Sequence, residues 1–341
     1  MRLTVIDFLK GYSITTIVLL HLFQKFNLPS LLAKAIDFGG GGVHVFILCS
    51  GFGLYLSHLN RPLDYFTFLK KRFSKIYFPY ILIVLISSAF PFMYDSNDRV
   101  LALLSHIFLF KMFFQKYINS FGVQFWFISM ILQFYLFFPV ILRFFKLKNP
   151  IKEIIISLII SLTWAVTISL IGKTDIRVWN SFFLQYLWEF VLGMSLANYY
   201  FLHGDLILPK MWQIILLSII CIGITGYTGL LGGIYKVLND VPSLLGYLSF
   251  ALIIYSLHVK YINRFFVFTS NFSYEWYLVH MLIFNCTFII LGSFSLIKFG
   301  MAMLILSYIC AFIYGFFVKK YLFSRLEFSK HYFNKMFVKK P

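Results

Sequence analysis

Among the side chains of this chain, the imidazole of His21 is the one whose type and surroundings best suit chemistry, because ionisable groups inside an apolar run are costly and mark functional sites. A neutral imidazole acts as a general base near neutral pH, or as a nucleophile that carries a group transiently. His21 shares its helix face with two charges. Lys10 stands eleven residues earlier. At about 100° per residue the two side chains differ by only about 20° in azimuth and stand roughly 16 Å apart along the axis. Asp7 lies one turn before Lys10 on nearly the same stripe, so one face runs Asp7, Lys10, His21.

His44 and His280 also fall within apolar runs, and each of the three imidazoles has an alternative use as a helix-to-helix hydrogen bond. His44 is expected at a depth similar to that of His21, near enough for the two to touch. The glycines of Phe38-Gly-Gly-Gly-Gly-Val-His allow close backbone approach, and the Ser50-Gly-Phe-Gly stretch permits tight helix packing. Neither fits a phosphate-binding glycine loop, since the spacing differs and no Lys follows. Trp126, Ser129 and Gln133 share one helical face, as do Ser273, Tyr277 and His280 with Glu275 and Trp276 beside them. Aromatic stripes are usually packing, but a polar member on each argues for an inward-facing cavity. The densest basic patch that abuts a helix start is Phe68-Leu-Lys-Lys-Arg-Phe-Ser-Lys-Ile-Tyr-Phe-Pro. It has two readings of equal weight: orientation control with attraction to anionic lipid, or a clamp in which Arg72 and Lys75, one turn apart, grip the phosphate of a cytosolic ligand.

The elements that position these residues are set by composition. Of 341 residues, 60% are hydrophobic and 12% charged, and the mean hydropathy is +0.84, whereas a soluble domain carries about 25% charged residues. The expected class is therefore an all-α integral membrane protein. Net charge is +18, yet the bases sit in short clusters between apolar runs, which excludes a nucleic-acid groove reader. Cys49, Cys221, Cys286 and Cys310 lie singly in apolar runs, with no spacing for zinc or a disulfide framework, and no metal set is expected. The first apolar run has no small-residue cleavage site and reads as a retained helix.

A crossing helix needs about 20 apolar residues. Ten stretches qualify: 5–26, 40–58, 76–93, 123–145, 154–171, 182–200, 212–231, 241–258, 273–291 and 299–318. An eleventh, 100–114, is ambiguous. Lys and Arg concentrate in cytoplasmic loops. The clusters Arg61 to Lys75, Arg143 to Lys152 and the tail from Lys319 all face inward only if 100–114 does not cross but lies along or dips into the outer face. The expectation is about ten transmembrane helices with both termini cytoplasmic and a basic tail over 319–341.

Together these segments resemble the integral membrane acyltransferase family 3, which includes bacterial O-acyltransferases of polysaccharides and other cell-surface glycans. The resemblance rests on Asp7, Lys10 and His21, with Lys in place of the more frequent Arg, and on Gly42-Val-His-Val-Phe-Ile-Leu-Cys-Ser-Gly-Phe52. It continues through Arg72-Phe-Ser-Lys75-Ile-Tyr-Phe-Pro79, where Lys replaces a second Arg, and the Trp126 to Pro139 block. Phe190-Val-Leu-Gly-Met and Ser273-Tyr-Glu-Trp-Tyr-Leu-Val-His280 complete the order. It covers nearly the whole chain. Ile131 and Leu132 stand where many relatives carry an acidic pair before Gln133. Some relatives carry a further extracytoplasmic hydrolase-like domain; here 1–318 reads as the membrane acyltransferase domain with no such fusion, so a separate glycan-processing protein is a conceivable partner.

The resemblance implies an enzyme of the cell membrane, multi-pass, with no bound cofactor. It would transfer an acyl group, acetyl above all, from cytosolic acyl-CoA to a hydroxyl of an extracytoplasmic glycan or its lipid-linked precursor. Lys10, Arg72 and Lys75 would hold the phosphates of acetyl-CoA. His21, with Lys10 and Asp7 beneath it, would be the general base or carry the acyl group itself. His44, Ser50, Trp126, Gln133, Tyr277 and His280 would line the cavity for the acceptor. The alternatives are a secondary transporter or glycan flippase using buried His and Glu residues, with Glu189 and Glu275 available, and a catalytically silent membrane sensor.

Overall fold

The computed structural model describes residues 3–26, 28, 29, 36, 38–95, 97–231, 234, 235, 238–291 and 296–323. The basic tail beyond 323 lies outside them. Among the described residues there are helices and turns and no strand. Ten helices run 17 to 24 residues: α1 Thr4–Phe23, α2 Gly42–Asn60, α3 Tyr65–Ser88, α5 Trp126–Phe144, α6 Pro150–Leu170, α7 Leu187–His203, α8 Met211–Leu231, α9 Asp240–Ser256, α11 Ser273–Leu291 and α12 Leu296–Phe317. Each overlaps one of the ten apolar stretches above. Among the described residues six helical segments are long and apolar enough to cross a membrane: Thr4–Phe23, Gly42–Asn60, Val123–Phe144, Pro150–Leu170, Met211–Leu231 and Phe299–Leu322. The chain is a multi-pass membrane protein.

The stretch 100–114 holds α4, Arg99–Ile107, which has nine residues. At about 1.5 Å per residue it is far too short to cross. Two short turns follow, Lys111–Phe113 and Gln115–Tyr117. Another short helix, α10 Lys260–Thr269, precedes α11.

Helix ends follow local chemistry. Asp64 accepts from the Thr67 amide at 3.0 Å to start α3, and Asn149 accepts from Lys152 at 3.2 Å, with Pro150 at the first position, to start α6. Gly204, at φ 81°, ends α7 in the left-handed region. Pro79 interrupts the backbone ladder inside α3. Hydroxyls from other helices serve this region: Tyr274 donates to the Ile76 carbonyl at 2.7 Å and Tyr314 to the Pro79 carbonyl at 2.6 Å.

Small residues set the closest helix contacts. A Cβ on Gly51 would lie 2.1 Å from the Phe190 carbonyl oxygen, and one on Gly193 2.0 Å from that of Leu48, so α2 and α7 touch backbone to backbone. Two apolar clusters result. One joins the first half of α1, through Phe8, Leu9 and Tyr12, to α2, α5, α7 and α9. The other joins the second half of α1, through Ile14, Val18 and Leu22, to α3, α5, α11 and α12. Helix α1 thus belongs to both, and the site lies along it.

Candidate active site

A cavity of about 1170 Å³ runs beside α1 and is lined by both Lys10 and His21. Arg72, His44, Ser50, Trp126 and Tyr277 line it as well. Because Lys10 and His21 share a helix face, the cavity reaches from the Lys10 ammonium to an imidazole about 16 Å away. Asp7 sits behind Lys10, its carboxylate 3.9 Å from the ammonium.

His21 is held in one tautomer by a chain of hydrogen bonds. His280 Nδ1 lies 3.0 Å from the Trp276 carbonyl oxygen, one turn back on α11. A carbonyl only accepts, so this nitrogen carries the proton. In a neutral His280 ring Nε2 is then an acceptor. His21 Nδ1 lies 3.0 Å from it and donates. The lone pair of a neutral His21 is therefore left on Nε2, the atom a base or nucleophile uses. The rings lie nearly parallel, with centroids 5.1 Å apart and planes 19° apart. Below them the Trp276 indole donates to Ser307 at 3.1 Å, which fixes α11 against α12.

His44 has different company. Its Nδ1 is 2.7 Å from Glu189 Oε1 and its Nε2 3.7 Å from Asp240 Oδ1. Asp240 also accepts from the Gln185 amide at 2.5 Å. Glu189 is fully buried, and its second oxygen has no hydrogen-bond partner among the described residues. A row of rings leads away from this cluster. Tyr186 lies 5.8 Å from the His44 ring, Trp126 stacks on Tyr186 at 6.2 Å, and the Arg177 guanidinium lies 5.4 Å above Trp126.

Several expectations are corrected by this geometry. His21 and His44 do not pair; each has its own partner. His280 does not line the cavity: it is fully buried behind His21. Gln133 is also absent from the lining, since its Oε1 turns to the next helix and accepts from the Phe183 amide at 3.2 Å. Lys75, one turn from Arg72, is not a lining residue either. The Trp126 stripe reaches the cavity only through Trp126, and the Ser273 stripe through Ser273 and Tyr277, whose hydroxyl donates to the Gln124 carbonyl at 2.5 Å.

Sequence reasoning missed Asp240, Gln185, Gln124, Lys111 and Arg177. Asp240 reads as an ordinary helix-start acid and Arg177 as a loop charge. Nothing local announces that both line the same cavity as His21. Lys111 reads as a loop base, yet it is 1% exposed. Burial, and after it the charge of Arg177, pushes its ammonium down to about 7. No group of three or more metal-ligating side chains occurs among the described residues.

Residues 3–320 match a family model described as an acyltransferase domain. Neither the curated proteins nor the solved structures gave a match. The family match spans nearly the whole chain, every long helix described above, and both ends of the cavity beside α1, and on it the chain belongs to acyltransferase family 3.

Proposed function

We propose that the protein takes an acyl group, acetyl in the first instance, from cytosolic acyl-CoA and delivers it to a hydroxyl of an extracytoplasmic glycan or lipid-linked saccharide. It does so from the cell membrane, with ten crossings and both termini in the cytoplasm. One observation supports the reading: a single cavity is lined by Lys10, by Arg72 and, further along the helix that carries Lys10, by His21.

Lys10 and Arg72 bind the phosphates of the donor, with Lys75, one turn from Arg72 on α3, as a further charge. The thioester then reaches up the cavity toward His21. Two routes use the Nε2 lone pair. In one, His21 removes the proton of the acceptor hydroxyl as the hydroxyl oxygen attacks the thioester carbonyl; the C–S bond breaks and CoA leaves as a thiolate that takes the proton from the imidazolium. In the other, Nε2 attacks first, CoA leaves as a thiolate, and the hydroxyl displaces the imidazole from the acyl carbon, its proton passing to the freed Nε2. In both, His280 holds the His21 ring and Asp7 steadies Lys10. Ser50, His44, Trp126 and Tyr277 shape the space for the acceptor.

The test is acetyl-CoA turnover by protein purified into lipid nanodiscs. His21→Ala should fall to background, and Lys10→Gln and Arg72→Gln should each raise the KM for acetyl-CoA about ten-fold. Full transfer by His21→Ala would remove His21 from the chemistry. The buried Glu189–His44–Asp240 chain favours a second reading, a proton-coupled transporter or flippase. Sugar movement across vesicles without acetyl-CoA consumption would establish that reading instead.

A further inference from the structure

Arg177 is a cation that the donor grip does not use. It lines the same cavity as His21, and it is one of two cations, with Lys25, whose charge acts on His21. Among the described residues no carboxylate lies within ion-pair distance of it. The two acids of this region, Glu189 and Asp240, face His44 and Gln185 at the far end of the ring row, with Tyr186 and Trp126 between them and Arg177.

Two further donors belong to this region, Gln124 in the wall of the same cavity and Lys111 behind it, and both are left unmatched among the described residues. The Lys111 ammonium is buried over the Phe125 ring at 5.6 Å and has no hydrogen-bond partner among the described residues. Its charge and that of Arg177 act on each other. Gln124, the neighbour of Phe125, is 2% exposed and lines the cavity, and both atoms of its amide lack partners. Buried cations and amides are costly unless something accepts from them. A guanidinium and an amide in one cavity wall, with a buried ammonium whose charge is felt at the guanidinium and the two acids held by His44 and Gln185, suit a group of anionic oxygens.

We propose that this corner is an anion subsite that holds a phosphate or carboxylate carried by the acyl acceptor, close to the hydroxyl presented to His21. The role of the ligand as acceptor rests on the acyl-transfer reading; the binding of the anion does not. Acceptors with a phosphate or carboxylate near the accepting hydroxyl are then preferred over neutral ones.

The experiment is calorimetric titration of the full-length protein in nanodiscs with glucuronate, glucose 6-phosphate and glucose, at low and high NaCl. At least one anionic sugar should bind about ten-fold more tightly than glucose, with the advantage shrinking in salt. Comparing the two anionic arms tells carboxylate from phosphate. Arg177→Gln should lose about ten-fold in that affinity, Arg177→Lys less, and the uncharged, similarly shaped Lys111→Met an intermediate amount. Equal binding of all three sugars, binding of none, or unchanged affinity in a folded Arg177→Gln would overturn the proposal. Acetyl transfer is read in the same samples. Anion binding without any transfer would leave the subsite standing and remove the acyl-transfer reading; transfer with no preference for the anionic sugars would do the reverse.

Discussion

At the scale of residues, the proton on His280 Nδ1 decides what His21 can do. The Trp276 carbonyl fixes that proton, and the 3.0 Å contact between the rings passes the constraint to His21. His280 is a positioning residue, since it never meets the cavity. A glutamine can reproduce both of its bonds, donating to Trp276 and accepting from His21; a phenylalanine can do neither. His280→Phe should lower kcat about 10- to 100-fold with little change in the KM for acetyl-CoA, and His280→Gln should recover part of that loss. Steady-state kinetics of the two variants checks this, and equal kcat in both would remove the orienting role. The Lys10 to His21 stripe was legible from helical periodicity alone, because both residues lie on one helix. The pairing with His280 was not, since 259 residues separate the partners and only tertiary packing brings them together. For the same reason Glu189 was visible as a buried acid but not as the partner of His44.

At the scale of elements, the contact between α2 and α7 is demanding from both sides. Gly51 and Gly193 each face main-chain atoms of the other helix, and a methyl group on either would push the two backbones apart. Gly193→Ala should destabilise the protein by about 1–3 kcal/mol, read as a lower thermal midpoint of the purified protein. Gly223 on α8 faces open space, so Gly223→Ala should leave the midpoint unchanged or slightly raised. The need for close packing near Ser50-Gly-Phe-Gly was readable from the small residues, but which helix approached was not. The short α4 was legible by a different route. Only a non-crossing 100–114 stretch lets the basic clusters face one side, and the nine-residue helix found there is too short to span.

At the scale of the whole molecule, charge and packing define two ends. The first turns of α3 around Lys70 and the loop around Lys148 carry basic clusters, and the proposed topology places both in the cytoplasm with Lys116 outside. In a background freed of the native cysteines, Lys148→Cys should react with an impermeant maleimide only after the cells are opened, and Lys116→Cys in intact cells. The reverse pattern would invert the topology. The fold class was legible because hydropathy is a local quantity; the bounds were less so, since α3 begins at Tyr65 and takes in the basic patch that reads in the sequence as a loop before a helix at 76. The cavity wall was not, since Arg177, Asp240 and Gln124 come from distant segments.

Helix α1 is shared by both apolar clusters and carries Lys10 and His21 on one rigid rod. Under the proposed chemistry it is a ruler. The spacing between phosphate grip and reactive nitrogen, about 16 Å, is set by helical pitch and not by any moving part. The flexible arm of the donor must match that length. A short thioester such as acetyl-N-acetylcysteamine, which has no phosphate to anchor, should be a poor donor even at high concentration, and Lys10→Gln and Arg72→Gln should leave its use unaltered while weakening that of acetyl-CoA.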